Sequence, residues 1–177
     1  MGVESNPDPS ARNMHPPNLH FGLFNVRSAV KKAASIHTLL AQDDLDVLVL
    51  TETRIHVDDP EAVKLNLAPS GYAVHHVSRT TRGGSGLVFL HRTSVNISTW
   101  KTCPATKDFE SQFLKLKSPS RSVDLISIFR QLGPVSSSFL IKFSDLLDII
   151  TMSDRGFLIC CDFIAWVKTT NRSTLSC

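Results

Sequence analysis

Leu45-Asp46-Val47-Leu48-Val49-Leu50-Thr51-Glu52-Thr53 is the stretch on which the fold turns. Four apolar residues in a row, with β-branched Val at alternate positions, suit a strand covered on both faces. The run stops abruptly at Thr51-Glu52-Thr53. A carboxylate at the end of a buried strand is held at the mouth of the sheet, where open α/β folds place ligands. The plainer reading is that Glu52 starts a solvated loop, and the flanking sequence decides between the two.

Upstream, Leu19 to Val26 (LHFGLFNV) reads as a first buried strand, with Asn25 near its end. A buried amide needs partners, so Asn25 either caps the following helix or holds a ligand. Ser28 is expected to cap that helix, with Val30, Ala33, Ala34, His37, Leu40 and Ala41 at helical spacing. Asp43-Asp44 ends it. Strand, helix and strand then place Asn25 and Glu52 at one edge if the strands are neighbours.

Downstream, Asp58-Asp59-Pro60-Glu61 starts a short helix, and Pro69-Ser70-Gly71 is a turn. Strands are expected over Tyr72–Val77, Gly86–His91, Ser94–Trp100, Phe109–Lys117 and Ser122–Arg130. Their short links imply an antiparallel sheet through this middle section. Gly83-Gly84-Ser85-Gly86 lacks the ending of a P-loop and opens no helix, so it reads as a hairpin turn. His75 and His76 are adjacent on a strand and cannot chelate one ion together.

An amphipathic helix over Phe139–Met152 follows, capped by Ser136, Ser137 or Ser138, with Leu140, Phe143, Leu147 and Ile149 or Ile150 as its apolar positions. Phe157-Leu158-Ile159-Cys160-Cys161-Asp162-Phe163 repeats the opening pattern, a buried run ending in an acid. Asp162, Glu52 and Asn25 together make a site more plausible than any one of them does.

Bulk properties set bounds. The chain has 177 residues, 42% hydrophobic and 20% charged, an ordinary globular composition that predicts one domain. A net charge of +3 is compatible with a polyanionic partner without requiring one. The four cysteines form no C-x-x-C pair, which argues against zinc and fits a reduced, intracellular setting. No apolar run is long enough to span a bilayer. Residues 1–18 carry four of the nine prolines and read as a disordered leader. The domain is expected over 19–165, with an irregular tail over 166–177.

Phe24-Asn25-Val26-Arg27-Ser28, the Leu45–Thr53 stretch, Ile128-Phe129-Arg130 and Cys160-Cys161-Asp162-Phe163 together resemble the endonuclease/exonuclease/phosphatase superfamily. Within it they look most like the endonuclease domain of non-LTR (LINE-type) retrotransposons. The resemblance runs from about His20 to Phe163 and implies a four-layer α/β sandwich, two face-to-face mixed sheets flanked by helices. It implies a magnesium-dependent hydrolase cutting phosphodiesters of DNA, with the nucleus as a plausible location. Residue by residue, Glu52 matches the metal-binding glutamate and Asn25 the first-motif asparagine. Asp162 matches the aspartate that orients or activates the attacking water.

Departures accompany the matches. Cys161 stands where the family has Gly, Ile164 where it has Asn, and Phe129 where it has a Tyr hydroxyl. The chain stops before the family's later aspartate and its Ser-Asp-His ending. The resemblance therefore implies a C-terminally truncated nuclease copy with negligible cleavage, marginally stable alone. Two alternatives are a catalytically dead module binding nucleic acid or protein, and a phosphatase-like enzyme acting on a small phosphoester.

Overall fold

The computed structural model describes residues 19–56, 58–77, 86–101, 106–117, 122–130, 133–152 and 155–163. The expected leader and tail lie outside the described residues, as do most of the glycine-rich turn and Ile164.

β1 (Phe21–Asn25) and β2 (Val47–Thr51) run parallel as neighbours, joined through α1 (Ala33–Gln42). After the short α2 (Glu61–Leu65) come β3 (Tyr72–Val77) and β4 (Leu87–Arg92), antiparallel to each other, with β4 antiparallel to β2. The first sheet therefore has the order β1-β2-β4-β3. A second sheet, β5-β6-β7-β8, is built from Asn96–Lys101, Glu110–Lys117, Ser122–Arg130 and Gly156–Phe163. Its first three strands are antiparallel; β8 returns parallel to β7 by way of α3 (Ser137–Thr151).

Side-chain alternation turns these strands into layers. In β2, Leu48 and Leu50 face outward and pack with Ile36 and Leu40 of α1, together with Val88 and Leu90 of β4. Val47 and Val49 face inward and meet Phe89, Leu114, Leu116 and Leu125 between the two sheets. On the far side, Phe113, Ile126 and Ile128 pack against Phe139, Leu146 and Ile150 of α3. Three apolar layers separate four structural ones: α1, first sheet, second sheet, α3. Both faces of β2 are buried throughout, as its uninterrupted apolar run requires. Cys160 and Cys161, adjacent on β8, fall into different layers, one between the sheets and one under α3. Burial pushes both thiols up, Cys161 to about 11.

Several sequence expectations need correction. Ser28 does not cap α1. The helix begins at Ala33 after Lys32, with no side-chain cap. Ser28 instead takes a positive φ of 87° and donates its N–H to the Glu52 carbonyl at 2.7 Å. Backbone pairing between the segments following β1 and β2 claims the residues that the apolar spacing had given to the helix. The middle strands do not form one antiparallel sheet. β3 and β4 belong to the first sheet and β5, β6 and β7 to the second, because both sheets need partners to cover their inner faces. In α3 the buried positions are Phe139, Leu146 and Ile150, while Leu140 is 55% exposed. Phe143 and Ile150 pack where expected, while Phe139 and Leu146 take the buried places given to Leu140 and Leu147; Ser136, one of the three expected caps, accepts the Phe139 N–H at 3.0 Å. The helix over Glu61–Leu65 and the strands over Tyr72–Val77 and Ser122–Arg130 lie where the sequence put them. Among the described residues no helix is long and apolar enough to cross a membrane.

Candidate active site

Asn25 is the last residue of β1, and Glu52 follows the last residue of β2. Parallel pairing brings both to the same rim. Asp162 arrives there from β8 of the other sheet. The Asn25 Nδ2 donates to Glu52 Oε1 at 2.9 Å and to Asp162 Oδ2 at 2.9 Å. An amide nitrogen carries two hydrogens, and here each carboxylate takes one. The Asn25 Oδ1 accepts the Arg27 N–H at 3.2 Å, which fixes which way the amide faces. One neutral side chain thus joins two carboxylates from two sheets.

Thr51 completes the arrangement. Its side chain is fully buried, and its Oγ1 donates to Asp162 Oδ2 at 2.6 Å. Hydrogen bonds to an ionised acceptor are stronger than neutral ones, so Asp162 is held from two directions. Among the described residues neither Glu52 nor Asp162 has an ion-pair partner.

The backbone carrying these groups is strained. Among the described residues, Arg27, Ser28, Glu52 and Arg54 are four of the five non-glycine positions with positive φ. Such conformations cost about 1–3 kcal/mol each and persist where the surroundings hold them. Here three hydrogen bonds do so: Val26 N–H to Thr51, Ser28 N–H to Glu52 and Ala29 N–H to Thr53. On the other side Thr53 N–H reaches the Gly86 carbonyl. Gly86 itself has φ +111°, and a Cβ there would stand 2.5 Å from Thr53 Oγ1. Only glycine lets β4 start this close to the Glu52 loop.

Two further residues at this rim were not evident from the sequence. Thr51 reads in the sequence only as the first residue of the Thr51-Glu52-Thr53 break that ends the apolar run. Glu110 opens β6 in register with Phe129, which is in register with Asp162. It also ties the sheets together, its Oε2 accepting the Gly86 N–H at 2.9 Å. No sequence signal links Glu110 to residues so distant in the chain. Phe129, at the position where the resemblance leads one to look for a phenol, is buried beside Asp162. Arg130 turns toward α3, lying over the Phe139 ring and donating to the Gly133 and Pro134 carbonyls.

A hard divalent cation suits this donor set. Both carboxylates supply oxygen, and magnesium commonly takes one or two carboxylates and keeps several waters. Two like charges brought to one amide are relieved by a cation between them. Among the described residues no group of three or more His, Cys, Asp or Glu stands ready to hold an ion by itself, so such an ion would depend on water or substrate for the rest of its shell.

The order of the strands and the four layers are those of the endonuclease/exonuclease/phosphatase fold. The endonuclease domain of TRAS1, a telomere-specific non-LTR retrotransposon, superposes on 79% of the chain with a TM-score of 0.53 and 12% identity. A Neisseria 3′ phosphatase bound to a product DNA hairpin covers 82% at a TM-score of 0.54 and 20% identity. The Leishmania major AP endonuclease covers 81% at 0.54 and 18% identity. In sequence, 79 residues, 45% of the chain, are 32% identical to the RNA-directed DNA polymerase from mobile element jockey of Drosophila melanogaster. No protein-family model matches the chain. The chain spans 56%, 58% and 53% of those three structures and 8% of the jockey protein.

Proposed function

We propose that the Asn25–Glu52–Asp162 rim is a divalent-cation site of phosphodiesterase type that engages DNA, in a nuclease domain of retrotransposon origin. The reading rests on one observation, the single amide shared by two carboxylates from different sheets. Glu52 is the cation ligand. Asn25 positions both acids and offers no charge of its own. Asp162, held by Thr51, orients or activates the attacking water. A bound magnesium ion would polarise the phosphate and stabilise the leaving oxygen. Arg27 and Arg54, both exposed two residues beyond Asn25 and Glu52, are suited to contact the phosphate backbone, where affinity is largely electrostatic.

Turnover by this polypeptide is expected to be negligible. Phe129 offers no hydroxyl beside Asp162. Loss of one acid–base group, here the phenol that Phe129 replaces, typically costs about 10²–10⁴ in rate.

DNA binding in magnesium and in EDTA tests this reading, alongside nicking of a supercoiled plasmid. Binding should weaken steeply with salt, tighten with magnesium and lose the magnesium effect in Glu52→Gln. Nicking should stay at the buffer level. DNA affinity indifferent to both magnesium and Glu52→Gln would overturn the proposal. The Neisseria neighbour is a 3′ phosphatase, and magnesium-dependent release of phosphate that disappears in Glu52→Ala would replace the nuclease reading with a phosphatase one.

A further inference from the structure

The backbone around Glu52 is held in an unfavourable shape. Glu52 and Arg54 have φ of 53° and 54°, both left-handed. Thr53 between them is fully buried, and among the described residues its Oγ1 has no hydrogen-bond partner. Strain and an unsatisfied buried hydroxyl persist only where the surroundings fix them. The segment after β1 supplies part of that support. Ser28 N–H reaches the Glu52 carbonyl at 2.7 Å, and Ala29 N–H reaches the Thr53 carbonyl at 2.8 Å. Yet Arg27 and Ser28 in that segment have positive φ themselves.

A second support comes from the other sheet. Thr53 donates its N–H to the Gly86 carbonyl at 3.3 Å. The Gly86 N–H in turn goes to Glu110 Oε2 at 2.9 Å. A carboxylate is a stronger acceptor than a neutral oxygen. Glu110 opens β6 and pairs in register with Phe129 of β7, so sheet pairing sets its backbone. Gly86 lies so close to Thr53 that a Cβ would stand 2.5 Å from Oγ1, and a shift of one must move the other. An unbroken line of contacts therefore runs from Glu110 through Gly86 and Thr53 to Glu52. It is separate from the Asn25 bridge, because it reaches Glu52 through the backbone and not through the carboxylate.

We infer that Glu110 is a positioning residue for Glu52. It holds the loop so that the Glu52 carboxylate stands at the rim before an ion arrives. The inference rests on the cation-site reading above and adds to it a residue from β6. Among the described residues no three acidic, histidine or cysteine side chains are grouped to hold an ion, so Glu110 acts through Gly86 and not as a ligand. Outer supports of this kind typically change metal affinity about 10–100-fold.

Manganese affinity and amide exchange together test it. Glu110→Leu should weaken manganese binding about 10–100-fold and speed exchange at Ser28 and Ala29. Glu110→Gln keeps an acceptor oxygen at the same reach and should restore both readouts. Undiminished manganese affinity, or unchanged protection of Ser28 and Ala29, in a folded Glu110→Leu chain would overturn the inference. A lower urea midpoint without those two changes would make Glu110 an ordinary strand residue and would overturn it as well. If the wild type binds no manganese, the cation reading fails, and exchange alone decides the role of Glu110. Should Glu110→Leu not fold, wild-type exchange decides it. The Gly86, Ser28 and Ala29 amides should then open together with one protection factor, and Gly86 opening alone would overturn the inference.

Discussion

The two flanks of the sandwich end in different ways. On one side β3 and β5 close the sheets with polar and aromatic side chains. Tyr72 donates its hydroxyl to the Leu45 carbonyl at 2.6 Å, and Arg92 lies over its ring. His75 stacks on His91, with ring centroids 5.1 Å apart. β5 exposes Asn96 and Thr99 and breaks register between Thr99 and Lys101, an irregularity that discourages further pairing. On the other side β1 and β8 expose Phe21, Leu23, Phe24, Phe157 and Leu158. The same two sheets thus present one guarded flank and one open flank, and the candidate site sits at the rim of the open one. Asn25 and Asp162 thus lie on strands that, among the described residues, expose more apolar side chains than β3 and β5 do.

The largest effect should come from what the flanks share. Phe89 sits in the inter-sheet layer at 1% exposure, and Phe89→Ala should cost about 3–5 kcal/mol, read as a shift in the urea midpoint. A loss below 1 kcal/mol would mean that the sheets are not packed on each other there. Next come the flanks themselves. Leu23 is 42% exposed yet faces the inter-sheet layer, and Leu23→Ala should cost about 1.5–3 kcal/mol. Thr99→Ala on the guarded flank should stay within about 0.5 kcal/mol. Equal effects at the two positions would erase the contrast. At the rim, Thr51→Val removes the hydroxyl that bonds Asp162 and keeps the side chain's shape. It should cost about 1.5–3 kcal/mol and leave the β3/β5 flank unchanged by hydrogen exchange.

The smallest effect is a pH dependence of the guarded flank. Burial lowers the pKa of His75 below its ordinary value of 6.5, with the neighbouring His91 adding to the shift, and burial likewise lowers that of His76. Both rings are therefore held neutral in the folded chain. Their contribution is fully present above the unfolded value near 6.5 and is lost as pH falls through the lower folded values. Acidification below 6.5 should speed amide exchange in β3 before β1, and His75→Phe should blunt that response. Exchange that speeds equally on both flanks would remove histidine as the cause.

Legibility in the sequence followed the same division. β2 was readable because an unbroken Val-Leu run has no place except a covered strand. Tyr72–Val77 and Ser122–Arg130 were readable because alternation and turn residues bound them on both sides. Asn25, Glu52 and Asp162 could be singled out because each is a polar group ending an apolar strand, and the structure hydrogen-bonds them together. Ser28 misled because a local cap signal competed with cross-strand pairing that only the folded rim reveals. Thr51 and Glu110 stayed hidden for a related reason. Their partners, Asp162 and Gly86, are chosen by sheet register and by the contact between sheets, and neither leaves a trace in local spacing. The assignment of the middle strands to two sheets was hidden likewise, since short links are equally compatible with one sheet or two.

Manganese titration of the wild-type chain and of Glu52→Gln, followed by electron paramagnetic resonance of the free ion, addresses the shared-amide site most directly. A single manganese bound by the wild type, displaced by magnesium and absent in a folded Glu52→Gln chain, is the predicted result. Equal uptake by the two chains, or none by the wild type, would contradict the account.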